Sequence, residues 1–284
     1  DGLEDAYKVM GLAPYGKPIF KLDDLLTYDN GKFELNRDMV LDHGSSVSKH
    51  PSEPIFGASK PESLSKLKRR LPHEEINSEH MDIAASAQYH LEQKLFAFLE
   101  DLKAKYRQKN LCMAGGVSLN SHFMGWYHKN STYERIYIPP CAGDSGLALG
   151  AAQLCYSMIE RKRPRPLQEA YTGSMYSDEE VLIEIERSGY FHRRETTKEV
   201  AHKLTQQHVV AQFIDRAELG PRALGNRSIL ANPNEKNITN KLNKRLKRSD
   251  FMPFAPMIRD IDAKKILKNY SKTDYTSKFM TITY

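Results

Sequence analysis

The chain has 284 residues, of which 40% are hydrophobic and 27% are charged, so it can bury the core of one large domain or two modest ones. Its mean hydropathy is −0.61, and its apolar runs fall well short of the roughly 20 residues that a membrane-spanning helix needs, so we expect a soluble protein without a membrane partner. The net charge of +6 at pH 7 suits anionic small molecules as well as nucleic acid.

The cysteines and the chain ends predict where the protein works. Cys112, Cys141 and Cys155 show neither paired spacing nor a metal-binding pattern, and reduced thiols of this kind are typical of a cytoplasmic protein. The sequence shows no signal-peptide pattern. It starts inside a structured motif, "DGLEDAYKVMG", and stops in "SKFMTITY", which is typical of a strand, so we expect a piece of a longer protein.

The first predicted elements are an irregular region and a long helix. Residues 17–75 are rich in Pro, Ser, Lys and Asp, which favours a surface excursion of loops and short strands. Residues 81–107 are predicted to be helical because apolar residues recur three and four positions apart, at Ala84, Ala87, Leu91, Leu95, Phe98 and Leu102.

A strand, a turn and a helix then follow one another twice. The first strand, "NLCMA" (110–114), leads through "GGVSLN" into a helix at 118–129. The second strand, "ERIYIPP" (134–140), leads through "CAGDSG" into the helix "LALGAAQLCYSMIERK". This order predicts an α/β layer with a largely parallel sheet.

The basic, proline-rich residues 161–171 are typical of a linker between domains, and the pattern restarts beyond them. Ser177 and Glu180 form a predicted capping box for the next helix. We predict a strand at 209–214, extended structure at 228–232 and a basic helix at 234–248.

Two turns after the predicted strands carry residues suited to a ligand. Gly115 and Gly116 let the backbone approach a phosphate or a nucleotide sugar at a helix N-terminus, although a tight strand-to-helix turn explains them as well. Asp144 lies at the expected carboxyl edge of the sheet, where it can ligate a metal or position a nucleotide hydroxyl. The cap of the following helix is the alternative role for Asp144.

The loop "ELGPRALGNRSIL" (218–230) has the most specific pattern. Arg222 and Arg227 supply planar forks of donors that match phosphate or carboxylate. Glu218 can orient one guanidinium, and Lys247 adds positive charge downstream. A surface set of salt bridges is the simpler alternative for such an arginine pair.

Five stretches together resemble one family, the O-carbamoyltransferases of the nodulation-protein NodU and cephalosporin-carbamoylating CmcH type. They occur in the family's order and span nearly the whole chain. The stretches are "KVMGLAPYG" (8–16), "AGGVSLN" (114–120), "CAGDSGLALGAA" (141–152), "ELGPRALGNRSIL" (218–230) and "FMPFAP" (251–256).

The resemblance implies a two-domain α/β enzyme. Residues 1–165 would form the C-terminal half of an actin-like ATPase (ASKHA-type) domain, similar to the enzyme that transfers threonylcarbamoyl to tRNA. Residues 166–284 would form a truncated YrdC-like α/β domain. Such enzymes turn carbamoyl phosphate and ATP into carbamoyl-adenylate, and then pass the carbamoyl group to a hydroxyl of a small-molecule or sugar acceptor. Iron is the divalent metal in the family picture, and Mg²⁺ is a further candidate.

The resemblance also assigns roles to residues that match its motifs. The metal-binding aspartate corresponds to Asp144. Nucleotide contacts fall on Glu4, Gly115, Gly116, Val117 and Asn120. The carbamoyl phosphate site falls on Arg222, Arg227, Ser228 and Lys247. The predicted catalytic residues are Arg222, Arg227 and Glu218.

The chain departs from the family pattern in two ways. Many members carry an arginine at the position of Met252 and a basic residue at that of Leu246, so Lys247 or Arg248 would have to replace that contact. The family's metal-binding histidines lie in an upstream half that this sequence does not contain. We therefore expect the chain by itself to bind ligands weakly and not to turn over.

Three other functions fit parts of the pattern. An actin-like ATPase or sugar kinase would explain Gly115, Gly116 and Asp144 but not the arginine loop, and would release ADP. A tRNA-modifying enzyme would need a basic docking surface, although we expect no nucleic-acid partner. A nucleotide-sensing fragment is the non-enzymatic alternative. The acceptor is not indicated by the sequence, and a homo-oligomer is compatible with it.

Overall fold

The computed structural model describes residues 6–36, 70, 74–268, 270 and 275–284. This part of the chain is mixed α/β and forms two compact units. The first holds the described residues up to Gln108 together with Phe251–Pro253, and the second holds Lys109–Asp250 and the described residues from Phe254. None of the described helices is long and apolar enough to cross a membrane.

The helices and strands follow the predicted order closely. The first unit contains α1 (Ala6–Leu12), β1 (Leu26–Asp29), β2 (Lys32–Leu35) and α2 (Ser78–Tyr106). The second contains β3 (Asn110–Cys112), α3 (Ser121–Asn130), β4 (Arg135–Tyr137), α4 (Leu147–Glu160), α5 (Asp178–Ser188), α6 (Thr197–Thr205), β5 (Val210–Phe213), β6 (Arg227–Leu230), α7 (Ile238–Arg245) and α8 (Asp260–Ile266). Of these, α1, α6 and α8 were not predicted.

The long helix α2 organises the first unit. Asn77 caps its N-terminus by accepting the His80 backbone N–H, and Arg107 ends it in the left-handed conformation. The chain after α1 lies against its first turns. The Lys17 backbone N–H donates to the Asp82 carboxylate over 2.6 Å, and that of Phe20 donates to the Ser86 hydroxyl over 3.0 Å.

Strands β1 and β2 form a hairpin that packs its aromatic rings on α2. Asn30 and Gly31 make the turn with φ of 48° and 83°, the left-handed values that a two-residue hairpin turn requires. The rings of Tyr28 and Phe33 both approach Phe98 of α2, with centroid distances of 5.9 and 5.3 Å. The predicted excursion at 17–75 therefore contains short strands where it is described; residues 37–69 and 71–73 of it lie outside the described residues.

Met252, at the position where the resemblance implies an arginine in many relatives, is buried in the first unit. A Cβ added to Gly11 of α1 would lie 2.9 Å from its sulfur, so the Met252 side chain lies against the α1 backbone. An arginine there would have to place its charge in an apolar setting, since the Phe251 ring also lies against Gly11. The methionine suits the packing of this chain.

In the second unit, β3, α3 and β4 form the predicted strand–helix–strand layer. The two strands are parallel, with Leu111 opposite Ile136. Helix α3 buries Phe123 and Tyr127 completely. Because parallel strands end at the same edge of a sheet, the turns after β3 and β4 are brought together.

The predicted strand at the end of the chain is wrong. Tyr275–Phe279 form a 3-10 helix, and the residues after it are not a strand. The Thr276 hydroxyl accepts the Ile138 backbone N–H over 3.1 Å and donates to the Ile136 carbonyl over 2.9 Å. One side chain therefore satisfies groups at β4 that a strand ladder would otherwise pair.

His90 of α2 gives the first unit a dependence on pH. Its side chain is buried, and among the described residues its Nε2 has no hydrogen-bond partner. Burial lowers the pKa of His90, and nearby Lys94 acts in the same direction, while the Asp23 carboxylate at 3.8 Å and the Leu26 backbone oppose them. The folded state therefore binds a proton at this site less readily than the unfolded state.

We predict that the free energy of unfolding falls as the pH drops below the unfolded-state histidine pKa of about 6.5, because the unfolded chain then takes up the proton that His90 resists. In the His90→Gln variant the melting temperature should fall less between pH 7.5 and pH 5. Thermal unfolding followed by circular dichroism measures this. His202→Gln, at an exposed position of α6, is the control. An equal pH effect in the wild-type chain and His90→Gln would contradict the prediction.

Candidate functional site

The turns after β3 and β4 lie side by side. The Gly115 backbone N–H donates to the Ala142 carbonyl over 2.7 Å. A Cβ added to Gly143 would lie 3.5 Å from the Leu119 side chain and 3.9 Å from the Gly116 Cα. The structure thus places the predicted nucleotide turn beside the loop that carries Asp144.

The glycine turn leaves open space over its backbone. Gly115 has φ of 101°, which only glycine adopts readily, and a Cβ on Gly115 or Gly116 would meet no atom within 4 Å. Val117 is half exposed beside them. Asn120 caps α3, since its side-chain oxygen accepts the Phe123 backbone N–H over 3.2 Å. The Asn120 side chain therefore stabilises the start of α3. The sequence alone did not distinguish this structural role from a contact with a ligand.

Asp144 begins a 3-10 helix at Asp144–Gly146 and is exposed. The alternative role as a helix cap is not observed, because neither this 3-10 helix nor α4 has a side-chain capping hydrogen bond. Among the described residues, no group of three His, Cys, Asp or Glu side chains lies close enough to hold a metal ion. Asp144 is therefore a single available carboxylate at the carboxyl edge of β4.

One carboxylate oxygen holds the arginine loop in shape. Glu218 Oε1 accepts the backbone N–H groups of Leu224, Asn226 and Arg227 over 2.9, 2.8 and 3.1 Å. Burial alone would raise the pKa of Glu218, but these donors and its own backbone N–H outweigh it and lower the pKa. Glu218 therefore stays ionised as the internal acceptor of the loop.

The Arg227 guanidinium forms hydrogen bonds with backbone carbonyls at the two ends of the loop. It donates to the carbonyls of Ile214, Asn226 and Asp215, the last two over 3.1 Å. Its guanidinium carbon lies 3.6 Å from the centre of the Phe213 ring, a close cation–π contact. In this conformation Arg227 positions the loop rather than presenting donors to a ligand.

Arg222 differs from Arg227 in its surroundings. Its Nε is buried, and among the described residues it has no hydrogen-bond partner. Burial lowers the pKa of Arg222, and no described carboxylate forms an ion pair with it. A partly buried guanidinium without a counter-charge is costly, and an anionic ligand would relieve that cost.

Gly220 joins the arginine loop to the segment that follows β4. With φ of 104°, it lies so close to Pro140 that an added Cβ would be 2.1 Å from the Pro140 carbonyl oxygen. Pro140 and Cys141 come just before Asp144 in the chain. The close approach therefore places Arg222 on a loop adjoining the one that carries Asp144.

The remaining predicted residues lie in several places. The Ser228 hydroxyl accepts the Gly225 backbone N–H over 2.9 Å, which tightens the turn before β6. Lys247 is exposed just after α7. Arg248 is fixed by the Phe254 ring, at 4.5 Å, and by the Asn243 side chain, at 3.3 Å. Glu4 lies outside the described residues.

Sequence reasoning missed the residues that brace the arginine loop from outside. The Tyr171 hydroxyl donates to the Leu224 carbonyl over 2.9 Å, and Arg216 donates to the Gly173 carbonyl over 3.1 Å. The Asn226 amide donates to the Arg216 carbonyl over 2.8 Å. The first two bonds link positions 53 and 43 residues apart, and no local pattern indicates them.

We predict that Gly220→Ala lowers the free energy of unfolding of the second unit by about 2 kcal/mol or more, because it adds left-handed strain to a clash with backbone. Urea unfolding followed by circular dichroism measures the change. Gly150→Ala is the control, since an added Cβ at Gly150 of α4 meets no atom within 4 Å. It should be neutral or slightly stabilising. Similar midpoints for the two variants would contradict the prediction.

Comparison with known proteins identifies the family. The model of the family described as "Carbamoyltransferase N-terminus" matches residues 3–153, and that described as "Carbamoyltransferase C-terminus" matches residues 201–284. Between them they cover the glycine turn, Asp144 and the arginine loop.

Three relatives show the same likeness. An uncharacterized protein of Synechocystis is 33% identical over 97% of this chain and 46% of its own length. The nodulation protein NolNO of Sinorhizobium fredii is 32% identical over 94% of this chain and 38% of its own length. The nodulation protein NolO of Bradyrhizobium diazoefficiens is 30% identical over 94% of this chain and 47% of its own length. The chain thus spans less than half the length of these relatives, and it belongs to the carbamoyltransferase family.

Proposed function

We propose that this chain is part of an ATP-dependent O-carbamoyltransferase that converts carbamoyl phosphate and ATP into carbamoyl-adenylate and passes the carbamoyl group to an acceptor hydroxyl. The observation that carries this proposal is the Arg222 guanidinium, whose buried Nε has no hydrogen-bond partner among the described residues. Its planar fork of donors matches a phosphate group. A surface salt-bridge set, the simpler alternative, would have given Arg222 a carboxylate.

The other residues of the loop support this role for Arg222. Glu218 and Arg227 use their polar groups to hold backbone N–H and carbonyl groups of the loop. Ser228 and Lys247 remain candidate phosphate contacts. Several negative charges meet when the mixed anhydride forms, and fixed donors in a partly buried loop stabilise them without reorganisation.

The proposed reaction has two steps, activation and transfer, and activation itself takes place in two parts. Carbamoyl phosphate loses its phosphoryl group to water, which gives carbamate and inorganic phosphate. A carbamate oxygen then attacks the α-phosphorus of ATP, and pyrophosphate leaves with the electron pair of the broken bond. In the second step the acceptor hydroxyl attacks the carbonyl carbon, AMP leaves, and the hydroxyl proton passes to solvent.

The turns after β3 and β4 are the proposed transfer site. The backbone of Gly115 and Gly116 faces open space, and we propose that a nucleotide binds there, with Glu4, Val117 and Asn120 as further contacts. A divalent metal, Fe²⁺ or Mg²⁺, would polarise the carbonyl there. Asp144 offers such a metal one exposed carboxylate, which is not a complete site, so we propose that the other ligands come from outside this chain.

The family also supports a proposal for the architecture. Residues 1–165 would belong to an actin-like domain and residues 166–284 to a YrdC-like domain, in a cytoplasmic enzyme. Because the chain spans less than half the length of its relatives, the complete reaction is proposed for a polypeptide of their length. By itself the chain should bind these ligands weakly and not turn over.

We predict that Arg222→Gln lowers the rate of pyrophosphate release by about 10²- to 10³-fold, because the phosphoryl charge loses a preorganised donor. The measurement uses a polypeptide of the relatives' length that contains this chain, with ATP, carbamoyl phosphate and ferrous iron. Pyrophosphate should form only when carbamoyl phosphate is present. Arg245→Gln, at an exposed position of α7, should leave the rate unchanged.

A second prediction separates transfer from activation. Asp144→Asn should leave the first-turnover rate of pyrophosphate release within about twofold of the wild-type rate and abolish carbamate ester formation, because only the second step uses the proposed metal. The variant should also melt at the wild-type temperature, since Asp144 is exposed and caps no helix.

Product analysis decides between this proposal and its alternatives. Release of ADP instead of AMP and pyrophosphate would favour an actin-like kinase or ATPase. Pyrophosphate release that does not depend on carbamoyl phosphate would also overturn the proposal. If Arg222→Gln and Arg245→Gln behave alike, Arg222 is not the phosphate contact.

A further inference from the structure

A cleft of about 620 Å³ lies beside β4 in the second unit. Its walls come from the end of β4, from α4, from the proline-rich segment at 164–168 and from Tyr275. Apolar or flat groups make most of these walls, among them Tyr137, Pro139, Leu149, Pro164, Pro166 and Tyr275. The candidate site described above does not use these side chains.

Two tyrosine rings give the cleft a flat, firm wall. The rings of Tyr137 and Tyr275 lie 6.1 Å apart at 31° to one another. The Tyr275 hydroxyl donates to the Leu167 carbonyl over 2.7 Å, which holds that ring in place. Rings and prolines of this kind favour a planar apolar body over a branched or strongly hydrated one.

Three polar side chains that line the cleft have no partner among the described residues. The Tyr137 hydroxyl, the Gln153 amide and the Arg165 guanidinium all line the cleft and form no hydrogen bond or ion pair with described residues. Burial raises the pKa of Tyr137, so its hydroxyl keeps its proton at neutral pH and can donate. These are orienting donors for a ligand.

The charge at the cleft is positive. Arg165 belongs to the basic run "RKRPR" (161–165), and no described residue pairs with any of its four cations. No carboxylate is among the described residues that line the cleft. Glu169 lies close enough to raise the pKa of Tyr275, after the larger effect of burial, but it is not part of the lining.

We infer that this cleft binds a small organic anion with a flat apolar body, whose acidic group pairs with Arg165, and that this anion is the carbamoyl acceptor. The second half of the inference rests on the proposed function. The acceptor role is inferred from the closeness of the cleft to the arginine loop. Pro139 and Cys141, which line the cleft, flank Pro140, and Pro140 contacts Gly220 of that loop. A Cβ on Gly146 would lie 2.1 Å from the Cys141 carbonyl oxygen, so the Asp144 loop adjoins the cleft as well.

Binding is tested first, on the chain as it is. The probe is 6-(hydroxymethyl)naphthalene-2-carboxylate, and 2-naphthalenemethanol is its neutral counterpart. Isothermal titration calorimetry should show the carboxylate binding at least about tenfold more tightly, the size of one charge-assisted hydrogen bond. Arg165→Gln should remove that advantage. Arg163→Gln changes a cation of the same run that does not line the cleft, and it should leave binding unchanged.

Three results would overturn the binding site. The neutral probe could bind as tightly as the carboxylate, the two arginine variants could lose affinity equally, or a single-stranded oligonucleotide could displace the probe with equal loss in both variants. The last two would make the run at 161–165 a general electrostatic patch for polyanions.

The acceptor role is tested in the longer polypeptide with ATP and carbamoyl phosphate. The probe's hydroxymethyl group should become a carbamate ester, and Arg165→Gln should lower ester formation by about tenfold while the first-turnover rate of pyrophosphate release stays constant. Pyrophosphate release with no ester in the wild-type protein would overturn the acceptor role alone. No pyrophosphate in any variant would overturn the proposed function, and the measured binding of the probe would still stand.

Discussion

The Glu218 carboxylate is the interaction on which the candidate site depends. One of its oxygens accepts three backbone N–H groups, while Arg227 donates to carbonyls on the other side of the same loop. An acid therefore satisfies the donors of the loop, and a base satisfies its acceptors. A loop whose backbone is satisfied in this way can hold Arg222 in a partly buried position, which a mobile loop could not do.

The hydrogen bonds of the loop also explain why the sequence could not distinguish the roles of Arg222 and Arg227. Arg222 and Arg227 look alike in "GPRALGNRSIL", yet Arg227 is committed to carbonyls at positions 214 and 215 and Arg222 is not. The difference depends on residues brought close by folding, and no local pattern encodes it. The prediction that Glu218 orients a guanidinium is not observed, since backbone N–H groups occupy the oxygen that carries its described bonds.

Local chemistry, by contrast, could be predicted. The Ser177 capping box before α5 and the two strand–turn–helix units follow from nearby residues, and the structure confirms them. The Asn30–Gly31 pair at the turn between β1 and β2 is an equally local signal for a hairpin. The residue pattern of the terminal segment fits a strand, but the segment is not one. Instead of a strand ladder, the Thr276 hydroxyl makes hydrogen bonds to the backbone of Ile136 and Ile138. Whether such a segment pairs depends on the groups it meets, which its own sequence does not contain.

Two charged side chains of the candidate site, Arg222 and Asp144, have no counter-charge among the described residues. Arg222 is partly buried and Asp144 is exposed, and neither forms an ion pair with a described residue. They belong to loops that adjoin at Pro140, so the chain brings opposite charges to one region without pairing them there. Each of these charged side chains is positioned by its own loop and does not depend on an ion pair with the other. In the proposed reaction a phosphate group would satisfy Arg222 during activation, and a bound cation would satisfy Asp144 during transfer.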